Sequence, residues 1–280
     1  MDFLYIQQFL MKRVGIVLPP EKRYLVETRL EPLTRQLQLP SMTALVAKLR
    51  LREPLIEQSV IDAMTTNETL FFRDKQPFDV LRDLILPKLA RERRGRGKLR
   101  IWCAACSSGQ EPYSIAMVLD DLRPQLGGVS AEIVATDISS RVLGQAKAGV
   151  FSQFEVQRGL PIKQLLKHFT QEGTRWRINP ALARDITFQQ GNLLQPFRHF
   201  GVFDVILCRN VMIYFNEATK RDLLKRLSES LAPDGYLMLG GAETVLGLST
   251  DLAPHQSERS LYVHRDSPEA YKSGLMRQRA

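Results

Sequence analysis

The hydrophobic and polar positions change rhythm once along this chain. Over the first 75 residues they follow a helical period. Met1 to Val14, Glu21 to Leu37, Met42 to Leu49 and Pro54 to Met64 are separated by turn signals such as Pro19-Pro20 and Pro40-Ser41. In the last of these, Leu55/Ile56, Val60 and Ala63/Met64 make one apolar stripe, with Glu57, Gln58 and Asp62 off it. A small helical bundle is the expected product. A further helix, about Phe78 to Leu89, leads into a basic stretch. From Leu99 onward short apolar runs alternate with helical segments. Predicted strands are Leu99 to Cys103, Glu132 to Thr136, Ile186 to Gln189, Phe203 to Cys208, Tyr236 to Gly240 and Ser260 to His264. Helices are predicted over Glu111 to Leu122, Ser139 to Ala148 and Glu217 to Leu231. That alternation is the mark of a mainly parallel sheet covered on both faces.

Phe151 to Asp185 interrupts the rhythm. It holds a short helix (Pro161 to Phe169), a turn at Gln171-Glu172-Gly173-Thr174 and an alternating Trp176-Arg177-Ile178 run. The stretch is longer than an ordinary connection, so it reads as an inserted subdomain or as structural padding. The division expected is therefore a helical domain at 1–75, a helix and basic linker at 76–98, and an α/β domain at 99–280 with an insert at about 151–185. Residues after Asp266 read as a frayed tail.

Composition adds limits. At 280 residues, 44% hydrophobic and 25% charged, the chain is an ordinary globular one. Lys12-Arg13 follows the apolar stretch Leu4 to Leu10, the reverse of an export signal. Three cysteines are too few for a disulfide scaffold, so a cytoplasmic protein is expected, with no direct membrane insertion. The net charge of +9 is concentrated in Arg91, Arg93, Arg94, Arg96, Lys98 and Arg100. That run suits a solvated linker, a dock for an acidic protein surface, or nucleic-acid contact.

The candidate chemistry lies at strand ends. The first predicted strand runs into Cys103-Ala104-Ala105-Cys106-Ser107-Ser108-Gly109-Gln110-Glu111-Pro112. Small residues let backbone approach a ligand there, where open parallel sheets bind nucleotide-like molecules. No GxGxxG is present, and Glu111 would repel a pyrophosphate at the helix start. A nicotinamide-dependent dehydrogenase is disfavoured accordingly. A cofactor with an amino group and a sulfonium but no phosphate fits better. Asp137, closing the second strand, can accept hydrogen bonds from both ribose hydroxyls of an adenosine group, or cap a helix. Cys103 and Cys106 form a CxxC, but no second pair exists and the four histidines are scattered, so no metal site is expected.

Thr65-Thr66-Asn67-Glu68-Thr69-Leu70-Phe71-Phe72-Arg73, Ser108-Gly109-Gln110-Glu111-Pro112-Tyr113-Ser114, Ala135-Thr136-Asp137-Ile138 and Cys208-Arg209-Asn210-Val211-Met212-Ile213-Tyr214-Phe215 together resemble CheR, the chemotaxis receptor glutamate methyltransferase family. The resemblance runs in order over roughly residues 1 to 265. It implies a small all-helical N-terminal domain and a class I S-adenosylmethionine-dependent methyltransferase domain, Rossmann-like with a mainly parallel sheet and an inserted β subdomain. It also implies S-adenosyl-L-methionine as methyl donor, S-adenosyl-L-homocysteine as product, and glutamates of chemoreceptor cytoplasmic domains as acceptors in sensory adaptation. By position, Asn67, Thr69 and Arg73 correspond to a segment closing over the cofactor. Glu111 corresponds to a contact with its methionine portion, Asp137 to the ribose contact, and Asn192-Leu193 to the adenine side. Arg209 and Asn210 follow as further cofactor contacts. Arg73 and Tyr214 are the implied residues facing the incoming glutamate. Against those roles stand plainer ones: Arg73 pairing with Asp74, and Tyr214 packing its ring. Some relatives grip a receptor C-terminal peptide with a Gly-rich loop in the β subdomain. The compact Phe169 to Trp176 stretch, with one glycine, resembles the version without it, and direct recognition of receptor helices is expected.

The same residues bear on two rival functions. A nucleic-acid methyltransferase would place a stacking residue after the fourth strand, where this chain has Arg209-Asn210-Val211-Met212. Its basic run also lacks interleaved aromatics. A non-catalytic binding module would not need the candidate cofactor and acceptor residues.

Overall fold

A computed structural model describes residues 2–95 and 97–271. The first four helices are α1 (Asp2–Val14), α2 (Arg23–Gln36), α3 (Met42–Arg50) and α4 (Pro54–Met64). Each has a start or stop that the sequence explains. Ser41 caps α3 by accepting the Ala44 N–H, and Pro54 opens α4 where its missing N–H costs nothing. The helices share a core of Ile6, Leu10, Leu30, Leu45, Leu49 and Val60. The stripe expected on α4 holds at Ile56, Val60 and Met64, but Leu55 is 83% exposed and Ile61 is buried instead. Leu55 sits in the first turn, pointing away from the bundle. α4 also faces a second partner, the helix α8 described below.

Gln76–Glu92 is helical throughout, as α5 (Gln76–Val80), one π-helical turn (Leu81–Ile85) and α6 (Leu86–Glu92). Strand β1 (Leu99–Ala104) follows, then α7 (Gln110–Leu122), β2 (Ala131–Asp137) and α8 (Ser140–Ala148). The insert contains β3 (Val150–Ser152), α9 (Gln153–Gln157), α10 (Ile162–His168), β4 (Phe169–Glu172), β5 (Arg175–Ile178) and α11 (Pro180–Ala183). Its strands form a separate antiparallel sheet in the order β3-β5-β4. Phe71, Phe151 and Phe169 pack edge to face beneath it, with centroids 5.0 to 6.1 Å apart.

The chain then completes the main sheet with β6 (Ile186–Gln190), β7 (Phe203–Cys208), α12 (Glu217–Glu229), β8 (Leu231–Leu239), β9 (Leu252–Pro254) and β10 (Leu261–His264). The strand order is β6-β2-β1-β7-β8-β10-β9. All neighbours are parallel except β10, which runs antiparallel to both β8 and β9. The central strands are buried on both faces, as the apolar runs at 101–104 and 205–208 predict. Connections leave β1 toward β2 on one side while β7 lies on the other. That reversal opens a crevice at the carboxyl ends of β1 and β7.

The basic run lies at the opposite edge, where β1 begins. Arg93 is held by Asp204 and Asp234 at 2.6 and 2.7 Å. Arg100 donates to the carbonyls of Phe200 and Val202. At least these two arginines are fastenings between the linker and the sheet. Arg96 lies outside the described residues. No described helix is long and apolar enough to cross a membrane.

Candidate active site

An open cleft of about 940 Å³ occupies the crevice. One wall is the turn after β1. Ala105, Ser107 and Gly109 all take positive φ there, 65°, 51° and 95°. Gly109 leaves no room for a side chain, since a Cβ would stand 3.0 Å from that of Ala146. This tight path puts the Ser107 N–H 2.8 Å from Asp137 Oδ2, and the Ser139 N–H reaches Asp137 Oδ1 at 2.9 Å. Each carboxylate oxygen thus keeps one lone pair for a further donor. Burial pushes the Asp137 pKa up, against the pull of those N–H groups.

Glu111, in the first turn of α7, also lines the cleft. Its Oε2 accepts from Arg209 Nη1 at 2.9 Å. Burial raises its pKa, opposed by the Arg209 guanidinium and, more weakly, by Arg73. Arg209 follows β7 and its side chain is 2% exposed. It also donates from Nη2 to the Arg73 carbonyl at 2.9 Å and to Asp74 Oδ2 at 2.8 Å.

The segment between the helical bundle and α5 forms the rim, with Asn67, Thr69 and Arg73 all lining the cleft. The Asn67 carbonyl accepts from Ser107 Oγ at 2.7 Å. Arg73 donates to the Glu68 carbonyl at 3.0 Å. Asp74 pairs with Arg209, so Arg73 has no carboxylate partner among the described residues. Tyr214 lies in a one-turn 3₁₀ segment (Met212–Tyr214) and faces the same space. Leu193 supplies an apolar patch. Asn192 lines the cleft, with its side chain accepting the Leu194 N–H and donating to the Arg13 carbonyl. Asn210 sits at φ 58° and its N–H donates to Glu243. All ten residues expected at the site therefore border one cavity.

The sequence reading did not single out three contributors. Val14 and Ile16, from the far end of the chain, line the cleft together with Ile138 and Phe215. Glu243 is buried behind it and accepts four backbone N–H groups, those of Gly240, Asn210, Val211 and Met212, at 2.7 to 2.9 Å. Gly240 is required beside it, because a Cβ would approach both Glu243 Oε2 and Asn210 Nδ2 to 2.8 Å. Cys103 is wholly buried within β1, while Cys106 borders the cleft.

Two carboxylates, Glu111 and Asp137, and the apolar Leu193 share this cavity, a set that fits S-adenosylmethionine. Together with the seven-stranded order and its one reversed strand, they define a class I S-adenosylmethionine-dependent methyltransferase. Two family models cover nearly all of the chain: "CheR methyltransferase, all-alpha domain" over residues 1–65 and "CheR methyltransferase, SAM binding domain" over residues 67–261. The chain belongs to the CheR methyltransferase family. It is 44% identical over 251 residues to chemotaxis protein methyltransferase 1 of Pseudomonas aeruginosa, covering 88% of this chain and 91% of that one. It is 44% identical over 254 residues to the chemotaxis protein methyltransferase Cher2 of Pseudomonas putida, covering 89% and 92%. It is 42% identical over 254 residues to a chemotaxis protein methyltransferase of Vibrio parahaemolyticus, covering 89% and 90%.

Proposed function

We propose that the protein methylates glutamate side chains of chemoreceptor cytoplasmic domains, forming methyl esters, without tethering itself to a receptor C-terminal peptide. The observation that carries this reading is Arg73: a guanidinium at the cleft rim with no carboxylate partner among the described residues, in the same cavity as Glu111 and Asp137. S-adenosylmethionine supplies a methyl group on a positively charged sulfur, open to attack from the side opposite the bond that breaks. Glu111 takes the ammonium of its methionine portion, and Asp137 takes the ribose hydroxyls through its two remaining lone pairs. Leu193 and Asn192, with Val14 and Ile16 in the same lining, would enclose the adenine. Asn67 and Thr69 cover the cofactor from the rim, and Asn210 shapes the wall beside it.

The acceptor glutamate has an ordinary pKa near 4.3 and arrives ionised. No strong base is needed, and the cleft lining contains no histidine among the described residues. What the residues must do is hold one carboxylate oxygen in line with the methyl–sulfur bond. Arg73 can grip the other oxygen, and the Tyr214 hydroxyl can donate a second hydrogen bond. A tight ion pair would favour the ground state, so Arg73 orients the nucleophile rather than activating it.

The tether-free reading is supported by the β4–β5 hairpin. Only Gly173 and Thr174 separate its strands, leaving no extended loop to wrap a peptide. The test uses methyl-labelled S-adenosylmethionine and receptor cytoplasmic fragments with and without their last residues. Base-labile label on glutamates of both fragments is expected. Label confined to the intact fragment refutes the tether-free reading. No label on either, with the cofactor bound, refutes the acceptor.

A further inference from the structure

We infer that Arg209 is a positioning residue that couples the cofactor end of the cleft to the acceptor end, so that filling the first fixes Arg73 at the second. The inference rests on the function proposed above.

The geometry is specific. One buried guanidinium reaches Glu111, the residue facing the methionine portion, with Nη1. With Nη2 it reaches both the Arg73 carbonyl and Asp74 Oδ2. Among the described residues it touches no other carboxylate, and its guanidinium carbon lies over the Phe78 ring, 5.7 Å from the centroid. Its Nε is buried without a partner among the described residues. An arginine serving only to brace the fold would be expected to satisfy that donor too.

The segment it holds is a strained turn, closed locally by the Lys75 N–H donating to the Phe72 carbonyl at 2.8 Å. Phe72, Asp74 and Lys75 all have positive φ, at 49°, 67° and 44°, a conformation that side-chain-bearing residues adopt only when neighbours impose it. Fastenings to the methyltransferase domain add to that turn: Arg209, and Ser114 Oγ, which accepts the Phe72 N–H at 3.0 Å. Ser114 and Glu111 both belong to α7. The rim is therefore pinned to the helix whose first turn meets the cofactor.

With the cleft empty, Glu111 and Asp74 compete for the Arg209 charge. An ammonium arriving at Glu111 shares that carboxylate and weakens its pull on Nη1. The guanidinium then interacts more strongly with Asp74 and the Arg73 carbonyl. The rim tightens, and Arg73 is presented in one orientation. Coupling of this kind is reciprocal, so a bound acceptor carboxylate should also hold the cofactor more firmly.

The test is amide hydrogen exchange over residues 70–76 of the full chain, with and without S-adenosylhomocysteine, in the wild type, Arg209→Lys and Asp74→Asn. A lysine keeps a charge beside Glu111 but cannot span both partners. Asp74 is half exposed, so its amide variant is not expected to unfold the protein. We expect S-adenosylhomocysteine to slow exchange in the wild type by at least threefold and in neither variant. In Asp74→Asn we also expect product affinity within twofold of wild type and kcat about fivefold lower. Slowing that persists in both variants overturns Arg209 as the carrier. Product that binds the wild type without slowing these amides overturns the coupling alone. Failure of the wild type to bind it at all overturns the cofactor reading and the coupling with it.

Discussion

Two glutamates stand at the carboxyl edge of the same sheet, and their surroundings could hardly differ more. Glu243 accepts four backbone N–H groups and has no capacity left for a ligand. Glu111 accepts one arginine and keeps an oxygen toward an open cavity. Both are acidic and both are sheltered from water. The number of donors already satisfied, rather than depth of burial, separates the residue that holds the wall from the residue that can bind. Glu243 aligns Gly240 with the Asn210–Met212 turn, and so places Tyr214. Glu111 is where chemistry from outside can enter.

The sharpest test of that contrast is Glu243→Gln. An amide turns an NH2 toward backbone donors and strands at least one of them, so stability should fall by about 3 kcal/mol. Urea unfolding measures this, while the folded fraction should bind S-adenosylhomocysteine within threefold of wild type. Glu111→Gln should do the reverse. Losing a charged acceptor for an ammonium is worth roughly 2 kcal/mol, or about 30-fold in product affinity by calorimetry. Asp74 still pairs with Arg209, so stability should change by no more than about 1 kcal/mol. Equal stability losses in the two variants would erase the distinction.

The pH dependence follows from the burial that raises the pKa of Glu111 and Asp137 above their ordinary values. Without cofactor, each raised pKa favours the fold most below the unfolded value, and that share is lost as pH rises through the folded value. Cofactor binding runs the other way, because the ionised forms accept the ammonium and the ribose hydroxyls. Product affinity should therefore fall as pH drops through the raised values, by up to about tenfold per unit for each group. In Glu111→Gln the fall should be shallower, and an unchanged slope would remove Glu111 from the ammonium site. The smallest effect is expected at Tyr214→Phe. Removing one hydrogen bond to the acceptor costs about 1 kcal/mol, near fivefold in kcat/KM, with product affinity unchanged. A change in product affinity instead would place the hydroxyl on the cofactor.

Much of this was readable in the chain. The alternation from Leu99 to Leu239 marks the parallel sheet because strands buried on both faces must be apolar throughout. β3 and β9 have three residues each, too few to show any period, and neither was anticipated. Asp137 and Glu111 were visible because strand ends and helix starts are where ligands meet backbone. Glu243 was not, since Gly241-Ala242-Glu243-Thr244 carries no motif and its meaning lies in amides from two separated turns. Val14 and Ile16 were hidden for a similar reason: an apolar pair at a helix end reads as bundle core until another domain is brought against it. Leu55 misled because a period fixes a face, while a first-turn residue can leave it.

The order of the last strands bears on how the chain is made. β9 emerges from the ribosome before β10, yet among the described residues its only ladder partner is β10, which inserts between β9 and β8. Until residues 261–264 have been synthesised, the outer side of β8 is an unpaired edge, beside strands that already carry most of the cleft. A nascent chain stalled in that interval presents a hydrophobic ribbon able to pair with another chain. Loss of β10 should thus betray itself as aggregation during expression before any deficit in catalysis could be measured.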